Sequence, residues 1–341
     1  MTLRDPLAFA GRVELRAFES DCLRDNPLGD PHVRDVPVYL PPDASGEPGA
    51  DGPLPVVFLL AGFTGRGQSY LETHPWKRGV VSRFDRLVAT GEAPPAILVM
   101  PDCFTRLGGS QYVDSSATGR YADYVAGELV RFVDATFATE PGRRAVVGKS
   151  SGGFGAMHLT LRHPGVFRAA ASISGDCHFE AGYASQLRPA LRHLMKFDGD
   201  PARFLEAFLE RPDLAGDAHA AINLLAMSAC YSPNPASALG FDLPVDPYTG
   251  ERVAEVWERW LEFDPVHAAQ RHAEAWRQLD LLYLECGRYD EFDLQFGLRV
   301  LVRELERLGV PHEHVEWEGG HFGTDDRYLE VLPRVIGALR A

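Results

Sequence analysis

Short, predominantly apolar runs alternate along this chain with segments whose apolar positions recur every three to four residues. Pro55-Val56-Val57-Phe58-Leu59-Leu60, Ala96-Ile97-Leu98-Val99-Met100, Arg144-Ala145-Val146-Val147, Ala169-Ala170-Ala171-Ser172-Ile173 and the run from Leu279 to Gly287 are too short for helices and are apolar on both faces. That is the pattern of strands buried within a parallel sheet. The stretches from Arg12 to Phe18 and from Val33 to Leu40 instead alternate apolar with polar, as half-exposed strands at a sheet edge do, with Asp25 to Asp30 as the turn between them. Helical spacing marks Tyr121 to Phe137, Ala156 to Arg162, about Phe292 to Leu308 and about Arg327 to Leu339, and His314-Val315-Glu316-Trp317 reads as a last strand. Strand, helix, strand in regular succession predicts an α/β chain with a mostly parallel, doubly wound sheet.

The alternation breaks off between Asp176 and Gln278. Helical stretches there, such as Pro201 to Leu209 and Val253 to Leu261, are separated by proline-rich loops such as Ser232-Pro233-Asn234-Pro235, with no buried strand. We read 1–341 as one domain and 176–278 as a helical, cap-like insertion within it that walls a substrate pocket. Its aromatics Tyr231, Phe241, Tyr248, Trp257 and Trp260 are expected to hold the insertion to the body, the alternative being that they line the pocket. The Gly- and Pro-rich stretch from Asp43 to Pro53 reads as an exposed loop.

Candidate chemistry lies where the strands end. Val146-Val147-Gly148-Lys149-Ser150-Ser151-Gly152-Gly153 runs from a buried strand through G-x-S-x-G into a helix, the layout of a nucleophile elbow. Glycines at 148 and 152 would allow the close approach of strand and helix that lifts the Ser150 hydroxyl above the sheet. The Ser151 N–H, at the positive end of the helix, would then face any oxyanion formed there. Ala61-Gly62-Phe63-Thr64-Gly65, after an earlier buried strand, offers the Phe63 N–H as second donor. A serine nucleophile needs a base, and the base needs an acid to orient it. His321, between glycines after the last strand, is the base. Asp290, on the loop Gly287-Arg288-Tyr289-Asp290-Glu291-Phe292, is the acid, with Glu285 as runner-up and Glu291, read as the start of a helix, third. Lys149 is expected to be a solvated side chain, the alternative being a group that favours an acidic substrate. His312 and His314 alternate along the last strand and lack further ligands for a metal site.

Composition narrows the partners. A formal charge of −14 argues against polyphosphate and anionic membranes, so neither nucleic acid nor membrane is expected. Cys22, Cys103, Cys177, Cys230 and Cys286 are scattered without C-x-x-C spacing, which fits reduced thiols in a cytoplasmic protein. The first ten residues lack the apolar core of a signal peptide, and no stretch of about 20 apolar residues could span a bilayer. No cofactor or metal is expected, and the oligomeric state is left open, a homodimer included.

The elbow, Leu59-Leu60-Ala61-Gly62-Phe63, Tyr112-Val113-Asp114 with Tyr121-Ala122-Asp123-Tyr124 and Glu128-Leu129, and His163-Pro164-Gly165-Val166-Phe167 leading to Ser172-Ile173-Ser174-Gly175 together resemble the putative esterase (esterase D-like) family of α/β-hydrolases. That family includes S-formylglutathione hydrolases, enterochelin and feruloyl esterases and the antigen 85 mycolyltransferases. The resemblance covers most of the chain outside 176–278. It implies an α/β-hydrolase fold, Ser150 as nucleophile, Asp290 as acid, His321 as base, and the N–H groups of Phe63 and Ser151 as oxyanion hole. Two departures stand out: Ser151 occupies a position commonly Met in the family, and Ala61 one often His or Asp. The expectation is a serine carboxylic-ester hydrolase working through an acyl-enzyme on a small or medium ester or thioester. An acyltransferase of the same fold and a non-catalytic binding protein are the alternatives.

Overall fold

The computed structural model describes residues 9–42, 52–74 and 77–340. The expected loop from Asp43 to Pro53 falls, but for its last two residues, outside them, as do the first eight residues of the chain.

The strands are β1 (Arg12–Glu19), β2 (Val33–Leu40), β3 (Leu54–Leu60), β4 (Ile97–Val99), β5 (Thr139–Lys149), β6 (Ala169–Ile173), β7 (Leu281–Gly287) and β8 (Glu313–Trp317). They form one sheet in the order β1-β2-β4-β3-β5-β6-β7-β8. From β4 across to β8 neighbours run parallel, while β2 is antiparallel to both β1 and β4. The parallel part needs helical crossovers on both faces, and side-chain alternation supplies both. Val56, Phe58 and Leu60 of β3 enter the core on one face and Val57 and Leu59 enter the core on the other.

Helices α1 (Val80–Ala89), α2 (residues 121–136, π-helical over Tyr124–Leu129), α3 (Ser151–Arg162), α4 (Tyr183–Leu194), α5 (Pro201–Glu210), α6 (Ala218–Tyr231), α7 (Ala254–Leu261), α8 (Pro265–Arg277), α9 (Leu294–Leu308) and α10 (Asp325–Ala338) complete the chain. Helices α1 and α10 cover one face of the sheet, and α2, α3, α8 and α9 the other. Four of the five helices between β6 and β7 build a third apolar core, which meets the sheet body at Phe154 of α3. The fifth, α8, lies on α3 and α9.

That third core explains the aromatics. Tyr231, Phe241, Trp257 and Trp260 are buried in it. Tyr248 is not: it is 91% exposed on the turn that Asp246 closes through the N–H groups of Tyr248 and Thr249. The five cysteines are unpaired thiols, four of them buried.

Candidate active site

The elbow is tight in the way its glycines require. A Cβ on Gly152 would stand 1.9 Å from the Leu60 carbonyl oxygen, and one on Gly148 would stand 2.3 Å from the Gly152 carbonyl carbon. Ser150 itself holds φ 57°, ψ −125°, a left-handed strain for a residue with a side chain. The strain is held in place by neighbours: the Ser150 N–H donates to the Ile173 carbonyl of β6 at 2.9 Å, and its carbonyl accepts from Phe154 N–H at 2.9 Å. Helix α3 starts at the next residue.

Facing the elbow, the loop after β3 turns sharply. Thr64, at φ 66°, donates its N–H to the Gly108 carbonyl at 2.7 Å, and Gly65 N–H closes back on Gly62 at 2.9 Å. Two buried phenols fix the strand end beneath it: Tyr70 donates to the Leu60 carbonyl at 2.8 Å and Tyr112 to the Ala61 carbonyl at 2.6 Å. The N–H groups of Phe63 and Ser151 donate to no acceptor among the described residues.

His321 lies on the loop after β8 and Asp290 on the loop after β7. His321 Nδ1 and Asp290 Oδ2 are 2.8 Å apart, and both residues are 3% exposed. Burial pushes the Asp290 pKa up, but the hydrogen bond and charge of His321, with the Phe292 N–H at 3.0 Å on Oδ1, outweigh it and hold the carboxyl below its usual range. Glu285 does something else. Fully buried on β7, it is gripped by Arg327 through Nε (3.1 Å) and Nη2 (2.6 Å) and accepts from Tyr283 Oη at 2.9 Å. Glu291, expected to start a helix, precedes α9 by three residues and accepts the His321 N–H at 2.6 Å, steadying the histidine loop.

Ser150, Ser151, Gly62, Phe63 and His321 all line one pocket of about 540 Å³. Its other walls come largely from the segment between β6 and β7, through Phe179, Tyr183, Leu214, His219 and Asn223. His219 lies between Phe63 (5.6 Å) and Phe292 (5.9 Å), and burial together with the nearby His321 lowers its pKa. Sequence reasoning missed His219 and Asn223, although α6 carried the signal. Its 14 residues are apolar and buried nearly all round, and His219 and Asn223, four apart and so on one face, are its unburied positions.

Lys149 also lines this pocket instead of standing in solvent. Strand alternation ends at Lys149 because Ser150 turns the chain, so the ammonium lies 5.4 Å from the Phe322 ring centre beside the histidine loop. Desolvation lowers its pKa, against the pull of Asp290, Asp325 and Glu291.

Among the described residues, one group could bring three metal-binding side chains together: Asp114, Asp123 and His163, whose ligand atoms lie within 4.8 Å of one another. None lines the pocket, and Asp114 Oδ1 already accepts the N–H groups of Ala122 and Asp123. His312 and His314 form no such group among the described residues. Nor is any helix of the described residues long and apolar enough to cross a membrane.

A profile of the family described as putative esterase matches residues 31–321. S-formylglutathione hydrolase of Mus musculus is 26% identical over 149 residues, 41% of this chain and 51% of that protein, so the chain spans about half the length of the curated relatives it matches. Among solved structures, a ferulic acid esterase superposes with a TM-score of 0.61 at 19% identity, covering 97% of this chain and all of the other. S-formylglutathione hydrolase of Staphylococcus aureus superposes with a TM-score of 0.58 at 18% identity, covering 97% of this chain and 99% of the other. At such identity the likeness is one of fold, that of the α/β-hydrolases.

Proposed function

We propose that this chain, which belongs to the putative esterase family, is a serine carboxylic-ester hydrolase with Ser150 as nucleophile, His321 as base and Asp290 as acid. The observation that carries the reading is the strained Ser150 sharing a pocket with a histidine whose far nitrogen is held by a buried carboxylate. With Nδ1 bonded to Asp290, Nε2 is the nitrogen left for the serine hydroxyl. His321 takes the Ser150 proton as Oγ attacks the ester carbonyl. The N–H groups of Phe63 and Ser151 receive the negative charge of the tetrahedral intermediate. His321 then hands its proton to the departing alcohol or thiol. Water, deprotonated by the same imidazole, releases the acid and restores Ser150. Asp290 stays ionised throughout, which favours the imidazolium that forms and keeps the ring in the tautomer the first step needs. The helical segment over the pocket acts as a cap that selects the ester.

The test is hydrolysis of p-nitrophenyl acetate. Wild type should turn it over, and both Ser150→Ala and His321→Ala should fall by a factor of at least ~10³. Full activity in Ser150→Ala would remove the proposal.

A further inference from the structure

Asp176, three residues beyond β6, lines the pocket beside the elbow. Three donors converge on its Oδ2: Tyr183 Oη at 2.9 Å, Ser151 Oγ at 3.3 Å and Gln111 Nε2 at 3.4 Å. Its Oδ1 accepts nothing from the described residues, and no described Arg, Lys or His lies within ion-pair distance. The donors are themselves locked in place. Gln111 is buried and also donates to Tyr183 Oη at 2.8 Å, and both Gln111 (φ 51°) and Tyr112 (φ 55°) hold left-handed backbone conformations. Tyr183 packs edge-on against Phe179 at 4.7 Å and Trp260 at 5.7 Å. Strain and rigid support of this kind concentrate at sites that must present a group in one orientation.

Another carboxylate of the same segment shows how a structural one is treated. Asp264, fully buried, has both oxygens occupied: Oδ1 accepts the N–H groups of His178 (2.9 Å) and Val266 (3.0 Å), and Oδ2 that of Phe179 (2.7 Å). Asp176 is only part-buried at the pocket wall, and desolvation raises its pKa against the pull of Tyr183, the nearby His321, Gln111 and Ser151. A carboxylate can accept donors on both oxygens. Here the second set is missing from the protein and the pocket is where it would come from.

We propose that Oδ1 of Asp176 receives a hydrogen-bond donor, a hydroxyl or an ammonium, carried on the acyl chain of the substrate within a few bonds of its carbonyl. The proposal rests on Ser150 being the nucleophile. The acyl half is chosen because the alcohol must leave first, past the open rim where Phe322 is 67% exposed, while the acyl group stays bound to Ser150. The wall by Phe179 and Tyr183, where Asp176 sits, is thus left to the acyl group.

The experiment compares kcat/KM for three p-nitrophenyl esters of similar size, the butyrate, the 3-hydroxybutyrate and the 3-aminopropanoate, in wild type, Asp176→Leu and Asp176→Asn. Wild type should favour at least one donor-bearing ester over butyrate by about 10-fold, and Asp176→Leu should erase that ratio. Asp176→Asn separates the two donors, since it keeps an acceptor for a hydroxyl but loses the charge that holds an ammonium. A wild type that prefers butyrate overturns the proposal without any variant. So does Asp176→Leu lowering all three esters equally, which would make Asp176 a support for Ser151 and no more. If Asp176→Leu fails to fold, Asp176→Asn decides the ammonium arm and the wild-type panel the hydroxyl arm. A wild type inert to all three esters and to fluorophosphonate would instead remove the esterase reading beneath the proposal.

Discussion

The floor of the pocket and its roof are built on different physical terms. The floor consists of loops leaving β3, β5, β7 and β8, each anchored by strand pairing to its neighbours, so that Ser150, Asp290 and His321 are placed by backbone hydrogen bonds and glycine-sized gaps. The roof, Phe179 with α4 to α7, adds no strand to the main sheet and is held mainly by aromatic packing among Phe179, Tyr183, Tyr231 and Trp260. A pocket made this way can keep one chemistry while its roof changes, because the roof contributes no strand to the sheet that places the floor.

The sharpest way to break the comparison is at the elbow. Gly152→Ala puts a Cβ against the Leu60 carbonyl, a backbone oxygen that cannot swing aside, and should cost more than about 3 kcal/mol and lower activity by a factor of at least ~10³. Soluble expression, circular dichroism and ester hydrolysis check both. If Gly152→Ala is folded and active, the floor is not a rigid element.

Next in size are the two acidic residues of β7 and its loop. Asp290→Asn should lower kcat by ~10³- to 10⁴-fold with little change in Tm. Glu285→Gln should do the reverse, losing about 2–4 kcal/mol by freeing Arg327 while kcat stays within about 10-fold. Exchanged outcomes would make Glu285 the acid.

The roof should respond differently. Trp260→Ala empties a large site in the third core and should cost about 3–5 kcal/mol. It should raise KM for bulky esters more than it slows fluorophosphonate labelling of Ser150. Equal losses in both would show that roof and floor are coupled.

The smallest effect concerns the seam between the halves. His158 of α3 is buried, stacked on Phe154 at 5.5 Å and tilted against Phe263 at 5.8 Å, and burial pushes its pKa down to about 3. The unfolded chain, with a His pKa near 6.5, binds the proton that the folded chain refuses. Stability from this residue is therefore fully present above pH 6.5 and is lost as pH falls towards 3, amounting to about 2 kcal/mol at pH 5. His158→Phe should flatten the fall in Tm between pH 7 and pH 5; parallel slopes would show that His158 is protonated in the fold.

The same contrast decided what could be read from the residues alone. The sheet was legible because strands buried on both faces are continuous apolar runs, and the floor because a strained turn demands glycine and the loops after β7 and β8 carry an Asp and a glycine-framed His at strand ends. The roof was legible only as helix without strands. Tyr248 and Trp260 look alike in sequence, yet one stands in solvent and the other in the core, since their burial depends on partners far along the chain. Asp176 meets Gln111, 65 positions earlier, through contacts that no local pattern encodes. Lys149 lines the pocket because the chain turns at Ser150, directly after it, which no local pattern of apolar and polar positions reports.

The most direct test of the account is peptide mapping by mass spectrometry after treatment with a fluorophosphonate. One phosphonyl adduct, on Ser150, is expected in wild type and none in a folded Ser150→Ala. An adduct on another residue, or one that persists in Ser150→Ala, would contradict it.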